Sequence, residues 1–162
     1  MAGTKSRMAK IITKKGDTIL IDEVDFKTLG HLTWYVNNVG YAANDVGKRK
    51  GIRTLLHRAI LGNPKYNIDH KNGNKLDNRR ENLRPCNQSQ NTANAGIRKN
   101  NKAGYKGVTY DERNPNMKWI ANLTKNYKHI YIGAFRTKEE AAVAYNSRAI
   151  KEFGEFANLN TI

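Results

Sequence analysis

The sequence predicts an α+β protein made of two small domains. In the first half, alternating strand-like runs surround one short stretch with helical spacing. In the last third, three strand-like runs precede one amphipathic helix, and the polar, glycine-containing residues 96–104 are typical of a linker. A chain of 162 residues can hold one domain or two small ones. We therefore predict a first domain at residues 1–95 and a second at 105–162.

The elements of the first domain follow from the spacing of its apolar residues. "DTILIDEVDF" predicts a strand near residues 18–21, and "LTWYVNNVGYAAND" predicts two strands around the Asn37-Asn38 turn. "RTLLHRAILG" has helical spacing and a stop at Gly62. "NIDHKNGNKLDN" and "ENLRPC" predict two short strands, the first leading into an Asn-Gly turn. A short helix with a polar N-cap is expected from Asn87.

The second domain has clearer local signals. "YKGVTYDE", "KWIANLTKN" and "KHIYIGAF" predict three strands. "TKEEAAVAYNSRAIKEFG" predicts an amphipathic helix that Thr137 caps and Gly154 ends. Trp119, in a strand facing that helix, and Tyr145, on its alanine-rich face, are expected to pack in the core. We predict a small three-stranded antiparallel sheet packed on one helix.

The charge of the chain restricts its partners. The formal net charge is +15, and residues 48–102 hold fourteen Lys and Arg against three Asp and Glu. A chain this basic attracts polyanions, so we expect double-stranded DNA as its partner. No run approaches the length of a membrane span, and the start lacks an apolar secretory segment. Cys86 alone can form neither an internal disulfide nor a multi-cysteine zinc site. We expect an intracellular monomer without membrane contact or a small-molecule cofactor.

One stretch carries residues suited to phosphodiester hydrolysis. "NIDHKNGNKLDNRRENLRPCNQSQN" combines Asp69 and His70 with many asparagines. Cleavage needs a base for water and a cation for the developing charge, and Mg²⁺ accepts one carboxylate plus amide oxygens. Phosphate-binding groups follow nearby at Arg79, Arg80 and Arg84. Neighbouring residues on a strand point to opposite faces, so a solvated Asp-His turn pair is an equal alternative.

The longer string "LHRAILGNPKYNIDHKNGNKLDNRRENLRPCNQSQN" resembles the HNH homing-type endonucleases of phages and mobile introns, over about residues 18–95. The resemblance implies a ββα-metal fold at about 66–95, two strands and a helix around one Mg²⁺ or Mn²⁺ ion. It implies that His70 is the general base and that Asp69 and Asn91 are metal ligands. Asn82 would hold the loop and orient the imidazole. The ligand on the helix could also be Asn87 or Asn94.

Other residues in or near this region have simpler interpretations. His57 lies in an apolar helix and is more readily a packed, hydrogen-bonded histidine than a catalytic one. Its neighbour Arg58 is a candidate phosphate contact or carboxylate partner. His31 is expected to be structural, and Cys86 to be a small buried residue.

The segment from Gly104 to Asn160 resembles the ethylene-response-factor class of DNA-binding domain, through its Lys-Gly-Val start, Lys-Trp strand, Ile-Gly-x-Phe strand end and Glu-Glu-Ala-Ala-x-Ala-Tyr helix. The resemblance implies a sheet that enters the major groove with the helix behind it. The candidate DNA contacts are Lys106, Thr109, Arg113, Lys118, Asn122, Thr124, His129 and Tyr131.

Together these patterns predict a phage or homing endonuclease that nicks or cuts DNA and is targeted by its second domain. The alternative is a regulator that binds specific DNA without cutting and retains an HNH scaffold.

Overall fold

The computed structural model describes residues 7–45 and 53–162. Small antiparallel sheets and short helices alternate along the chain, which confirms the α+β prediction. The chain divides into two compact units, Met1–Cys86 and Asn87–Ile162. The short helix expected from Asn87 therefore belongs to the second unit, while the functional boundary at 96–104 stays a prediction. Residues 48–50, all basic, lie outside the described ranges.

Among the described residues of the first unit, the chain forms three small sheets and two short α-helices. Strands β1 (Met8–Ile12) and β2 (Thr18–Asp22) form an antiparallel pair, and α1 (Glu23–Leu29) follows. A second sheet has the order β3 (Tyr35–Val36), β4 (Ala42–Asp45), β5 (Arg53–Leu55), and α2 (Leu56–Ile60) follows it. The third sheet pairs β6 (Asn67–His70) with β7 (Leu83–Cys86), and a 3-10 helix, Arg80–Asn82, precedes β7.

The core of the first unit is built from alternating strand positions. Ile19 and Ile21 on β2 are 0% exposed, and Leu56 at the start of α2 is equally buried. Trp34 packs in the same cluster and donates its indole hydrogen to the Leu29 carbonyl at 2.9 Å. These contacts fix β2 and α2 around a single apolar centre.

The sequence patterns misplace some elements of this unit. "RTLLHRAILG" begins as strand β5 and turns helical only at Leu56, because Leu55 pairs with Ala43 of β4. A short apolar run fits either structure, and here long-range strand pairing decides. Neither β1 nor α1 is predicted above. The buried side chain of α1 is Asp25, so the helix lacks an apolar stripe.

The second unit carries the predicted three strands and helix. Helix α3 (Gln88–Asn94) comes first, and then the sheet of β8 (Val108–Tyr110), β9 (Trp119–Lys125) and β10 (Lys128–Phe135) in the order β10-β9-β8. Helix α4 (Lys138–Phe153) has a capping box in which the Thr137 side chain accepts from Glu140, and Gly154 follows its last residue.

The sheet of the second unit has an apolar face and a polar face. Tyr145 is 3% exposed and lies in a cluster with Leu123 and Ile130, as predicted for a core tyrosine. Trp119 is half-buried and packs on the neighbouring cluster. Asn122 pairs with Tyr131 and Thr124 with His129, so these polar side chains share the opposite face. In the described ranges, no helix is long and apolar enough to cross a membrane.

Candidate active site

Asp69 and His70 occupy the last two positions of β6, and both are 4% exposed. The strand ends at His70, whose carbonyl accepts from Gly73 in a tight turn at 2.8 Å. Gly73 has φ +72°, a backbone conformation that an L side chain rarely adopts. The Asn-Gly turn predicted here thus directs the chain away immediately after the two candidate functional residues.

Asparagine side chains organise the loop between β6 and β7. The Asn72 oxygen accepts from the backbone amide of Asn74 at 2.9 Å, and the Asn74 oxygen accepts from Leu76 at 3.0 Å. Asn72 also donates its amide hydrogen to the Asp77 carboxylate at 2.9 Å. Such bonds replace regular secondary structure in a loop. The many asparagines in this stretch therefore stabilise the loop backbone, in addition to any role as ligands.

Asp69 forms a buried ion pair with Arg84. The two residues face each other in the β6–β7 register, and Arg84 donates Nε–H to Asp69 Oδ2 at 2.8 Å. Their side chains are 5% and 8% exposed. Arg84 was expected to contact phosphate at the surface, and the structure instead places it on Asp69. The buried guanidinium holds the carboxylate in one orientation through a charge-assisted hydrogen bond.

His70 is buried next to an amide side chain and two aromatic rings. Its Nε2 is 3.4 Å from Oδ1 of Asn78, a residue that is 0% exposed. The ring centroids of His57 and Tyr41 lie 5.1 Å and 5.9 Å from its own. Burial lowers the pKa of His70, although the Asn78 contact and the Asp69 charge act in the opposite direction. The imidazole is therefore kept neutral at physiological pH, as a general base requires.

His57 packs edge-on against His70 from α2. It is 5% exposed, and burial lowers its pKa to about 3. The packing agrees with the prediction, but Nδ1 of His57 has no hydrogen-bond partner within the described part of the chain. His57 therefore packs against His70 as an uncharged ring at physiological pH.

Asn82 joins the two ends of the loop. Its oxygen accepts from the Asn72 amide at 3.0 Å, and its Nδ2 donates to the Asp77 carbonyl at 2.7 Å. These bonds hold the loop, whereas the amide beside the imidazole belongs to Asn78. Neither Asn78 nor Tyr41 was singled out from the sequence, because their burial depends on the tertiary fold and no local pattern marks them.

The other arginine candidates also have partners within the first unit. Arg79 makes two bonds to Asp77, at 2.8 and 2.7 Å, and holds the pKa of that carboxyl below its usual range. Arg80 binds Asp25 through two bonds of 2.8 Å, which ties the 3-10 helix to α1. Their side chains remain 29% and 51% exposed. Both can face a phosphate while keeping these contacts.

Three residues that flank this region, Arg58, Cys86 and His31, lie in ordinary structural environments. Arg58 donates to the carbonyls of Pro64 and Tyr66, which closes the turn after α2. Cys86 is buried, as expected, and burial raises the pKa of its thiol to about 11. His31 is exposed and follows α1.

The three candidate ligands on α3 differ in how their side chains are used. The Asn87 oxygen accepts from the Gln90 amide at 2.8 Å and forms the helix N-cap. Asn94 is 8% exposed, and its backbone carbonyl accepts from the Asn158 side chain at 2.9 Å. Asn91 is half-buried, and its side chain makes no hydrogen bond to the described residues. Its amide oxygen is thus the most available of the three.

The donors present fit a hard divalent ion better than zinc. No group of three or more His, Cys, Asp or Glu side chains in the described ranges is arranged to hold a metal. One carboxylate with amide oxygens suits Mg²⁺ or Mn²⁺, which keep several water ligands. Asp69 and Asn91 belong to that class of donor.

The candidate DNA contacts on the second unit lie either on the polar face of the sheet or outside it, at Lys118 and Arg113. Thr109 pairs with Ile120 and joins the polar face defined by Asn122 and Tyr131. At one end of β9, the Lys118 ammonium lies 6.0 Å from the Tyr110 ring centroid. Arg113 is 90% exposed at its side chain and binds Asp111 at 2.7 Å. These residues are accessible to a ligand.

Lys106 has a different environment from the other candidates. Its ammonium donates to the backbone carbonyls of Thr92, Ala93 and Ala95, at the end of α3. Burial lowers its pKa to about 8. Lys106 therefore binds carbonyls of the protein itself, whereas the resemblance to ethylene-response-factor domains implied a DNA contact.

Comparison with known proteins identifies two likenesses. A family model described as HNH endonuclease matches residues 62–93. A protein of Acanthamoeba polyphaga mimivirus, described as the uncharacterized HNH endonuclease L560, is 36% identical over 133 residues, which cover 80% of this chain and 67% of that protein. No solved structure matches the chain.

Proposed function

Because this chain belongs to the HNH endonuclease family, we propose that it is a metal-dependent DNA endonuclease whose cutting site is built around Asp69 and His70. The observation that carries the proposal is the buried imidazole of His70, whose pKa is lowered by burial, directly after a buried carboxylate that Arg84 holds in place. A base and an anionic oxygen donor are the two groups that hydrolysis of a phosphodiester needs first.

His70 acts as the general base. The contact of its Nε2 with the Asn78 amide oxygen favours the tautomer that carries the proton on Nε2, since an amide oxygen can only accept. The neutral ring keeps one basic nitrogen, which removes a proton from the attacking water. His57 and Tyr41 limit the solvent around the ring, so the imidazole stays uncharged until that proton arrives.

Asp69 and Asn91 are the residues that would hold a divalent ion, Mg²⁺ or Mn²⁺. When bound, the ion would stabilise the negative charge that develops on the phosphate and on the leaving 3′ oxygen. Arg84 orients Asp69 through their buried pair. Hydrolysis leaves a 5′ phosphate and a 3′ hydroxyl.

Double-stranded DNA is the proposed substrate. The net charge of +15 favours a polyanion, and Arg79 and Arg80 keep exposed guanidinium surface beside the candidate site. We further propose that the second unit is an ethylene-response-factor-like module that positions the nuclease. The shared polar face of Asn122, Thr124 and Tyr131 supports that assignment, since a sheet face can enter the major groove. We also propose a phage or homing role, which the resemblance of the string from Leu56 to Asn91 to homing-type endonucleases implies.

The experiment that tests this proposal separates a nuclease from a regulator that only binds DNA. Supercoiled plasmid carrying candidate target sites is incubated with protein and Mg²⁺ or Mn²⁺, and relaxed and linear forms are quantified. We expect conversion to the relaxed or linear form that EDTA abolishes. His31→Ala, which changes an exposed histidine, is the matched control and should cut like the wild type. Protein that shifts plasmid in a gel but leaves it supercoiled with every metal would favour the regulator.

A further inference from the structure

We propose that Lys106 is a positioning residue for cutting: it closes the end of α3, the helix that carries the proposed ligand Asn91, and thereby fixes the direction of the Asn91 side chain. This inference rests on the proposed function, because it uses Asn91 as a ligand. Its first support is that α3 falls in the compact unit Asn87–Ile162 and not in the unit of β6 and β7.

Lys106 satisfies the exposed carbonyls at the end of α3. The last carbonyls of any helix lack partners within the helix. The Lys106 ammonium has three hydrogens, and it donates to three such carbonyls, those of Thr92, Ala93 and Ala95. A positive charge at this end also complements the helix dipole. One side chain thus closes the helix end that lies one turn beyond Asn91.

Lys106 is in turn fixed to α4 through a relay of amides. Its backbone amide donates to the Asn160 side chain at 2.7 Å, and Asn160 donates back to the Lys106 carbonyl at 3.1 Å. Asn160 is paired with Asn146 of α4 by two further bonds, of 2.8 and 2.9 Å. The position of Lys106 is therefore set by the longest helix of the unit and not by the flexible stem of a surface lysine.

Two other contacts hold α3 on the same unit. Asn158 donates its backbone amide to the Ala93 carbonyl at 3.2 Å and its side chain to the Asn94 carbonyl at 2.9 Å. At the first turn, Ser89 Oγ accepts from the Asn126 amide at 3.1 Å. Both ends of the helix are consequently attached to the sheet and the C-terminal segment.

Helix α3 depends on these attachments because it is short. It spans seven residues and has Ala93 and Asn94 as its buried side chains. Isolated helices below about 12 residues are marginal in water. The helical geometry, and with it the direction of the Asn91 side chain, is then maintained by the second unit.

The test compares Lys106→Met with Lys106→Arg and with Lys151→Met, a change of an exposed lysine on α4. Methionine keeps the apolar stem and removes the three donors, while arginine restores donors to the carbonyls. Three quantities are measured: amide hydrogen exchange of residues 89–95 without metal, Mn²⁺ binding by electron paramagnetic resonance, and the Mn²⁺ concentration that gives half-maximal nicking.

For Lys106→Met we expect faster exchange in α3 and a rise of about tenfold in both Mn²⁺ values, since loss of groups that orient a ligand typically costs 10- to 100-fold in metal affinity or activity. Plasmid affinity in EDTA should be unchanged. Lys106→Arg should recover most of the loss, and Lys151→Met should behave like the wild type. If Lys106→Met does not fold by circular dichroism, Asn158→Ala gives the same readouts with a smaller effect.

Unchanged exchange in α3 would overturn the inference, and so would faster exchange with unaltered Mn²⁺ binding. A wild type that binds no Mn²⁺ would also overturn it. A wild type that binds Mn²⁺ with the expected dependence on Lys106, yet never nicks DNA, would refute the proposed function and leave the anchoring of the ligand helix standing.

Discussion

Two adjacent residues on β6 illustrate what local sequence can and cannot specify. Asp69 and His70 are identifiable as a carboxylate and a base beside a turn, but their environments come from partners distant in sequence. Arg84, from the opposite strand, neutralises the carboxylate, and His57, from α2, encloses the imidazole. Burial lowers the pKa of His70 and the ion pair fixes the Asp69 carboxylate, so the chemistry of the pair follows from the fold.

The buried state of His57 predicts a stability that decreases in acid. Its pKa is lowered from 6.5 to about 3 in the folded protein. Between these values the unfolded chain binds a proton that the folded chain does not, so stability is lost as the pH falls through this window, by at most about 1.4 kcal/mol per pH unit. Urea denaturation at several pH values measures this slope.

His57→Gln removes the titrating group and should flatten the pH dependence, whereas His31→Gln, at an exposed site, should not. Equal slopes for the wild type and His57→Gln would show that His57 is protonated in the folded protein or does not contribute.

A helix or strand of this chain is predictable from the sequence where its signal is local. Helix α4 carries its own cap and apolar stripe, and β9 and β10 alternate over seven and eight residues, so each was predictable. Helix α1 relies on Asp25 meeting Arg80, which lies 55 positions away. The β6–β7 loop is shaped by side-chain to backbone bonds of asparagines that look alike in sequence. Roles for Asn82 and Asn91 therefore stay predictions.

Gly107 precedes β8 and provides an element-scale prediction. It has φ +73°, and a Cβ there would lie 2.1 Å from the Tyr145 ring. Gly107→Ala should destabilise the second unit by about 2 to 4 kcal/mol, from backbone strain and overpacking together. Urea denaturation measures the change. Gly96→Ala is the control, since nothing lies within 4 Å of the Cβ it would add. Similar denaturation midpoints for the two variants would contradict this packing.

At the scale of the whole molecule, charge is the dominant property, but much of it is already engaged internally. Arg79, Arg80 and Arg84 each bind a carboxylate of the same chain. The excess of positive charge over the chain nevertheless remains +15. This combination predicts an affinity for DNA that is electrostatic overall, with the arginines near the candidate site serving mainly to position groups.

Binding to plasmid DNA in EDTA should consequently weaken steeply with salt. For about four phosphate contacts, counterion release predicts a loss of roughly a hundredfold between 50 and 200 mM salt. Fluorescence anisotropy with a labelled duplex measures the dependence. An affinity that changes by less than about threefold over this range would rule out a mainly electrostatic interface.

The central claim is that His70 is the base of a metal-dependent DNA cut. The most direct test is the single-turnover cutting rate of DNA that is already bound, measured for the wild type and His70→Ala with Mg²⁺ and with binding determined on the same samples. We predict a loss of at least about a hundredfold in rate, with affinity unchanged within about twofold. A His70→Ala protein that cuts bound DNA at the wild-type rate would contradict the account.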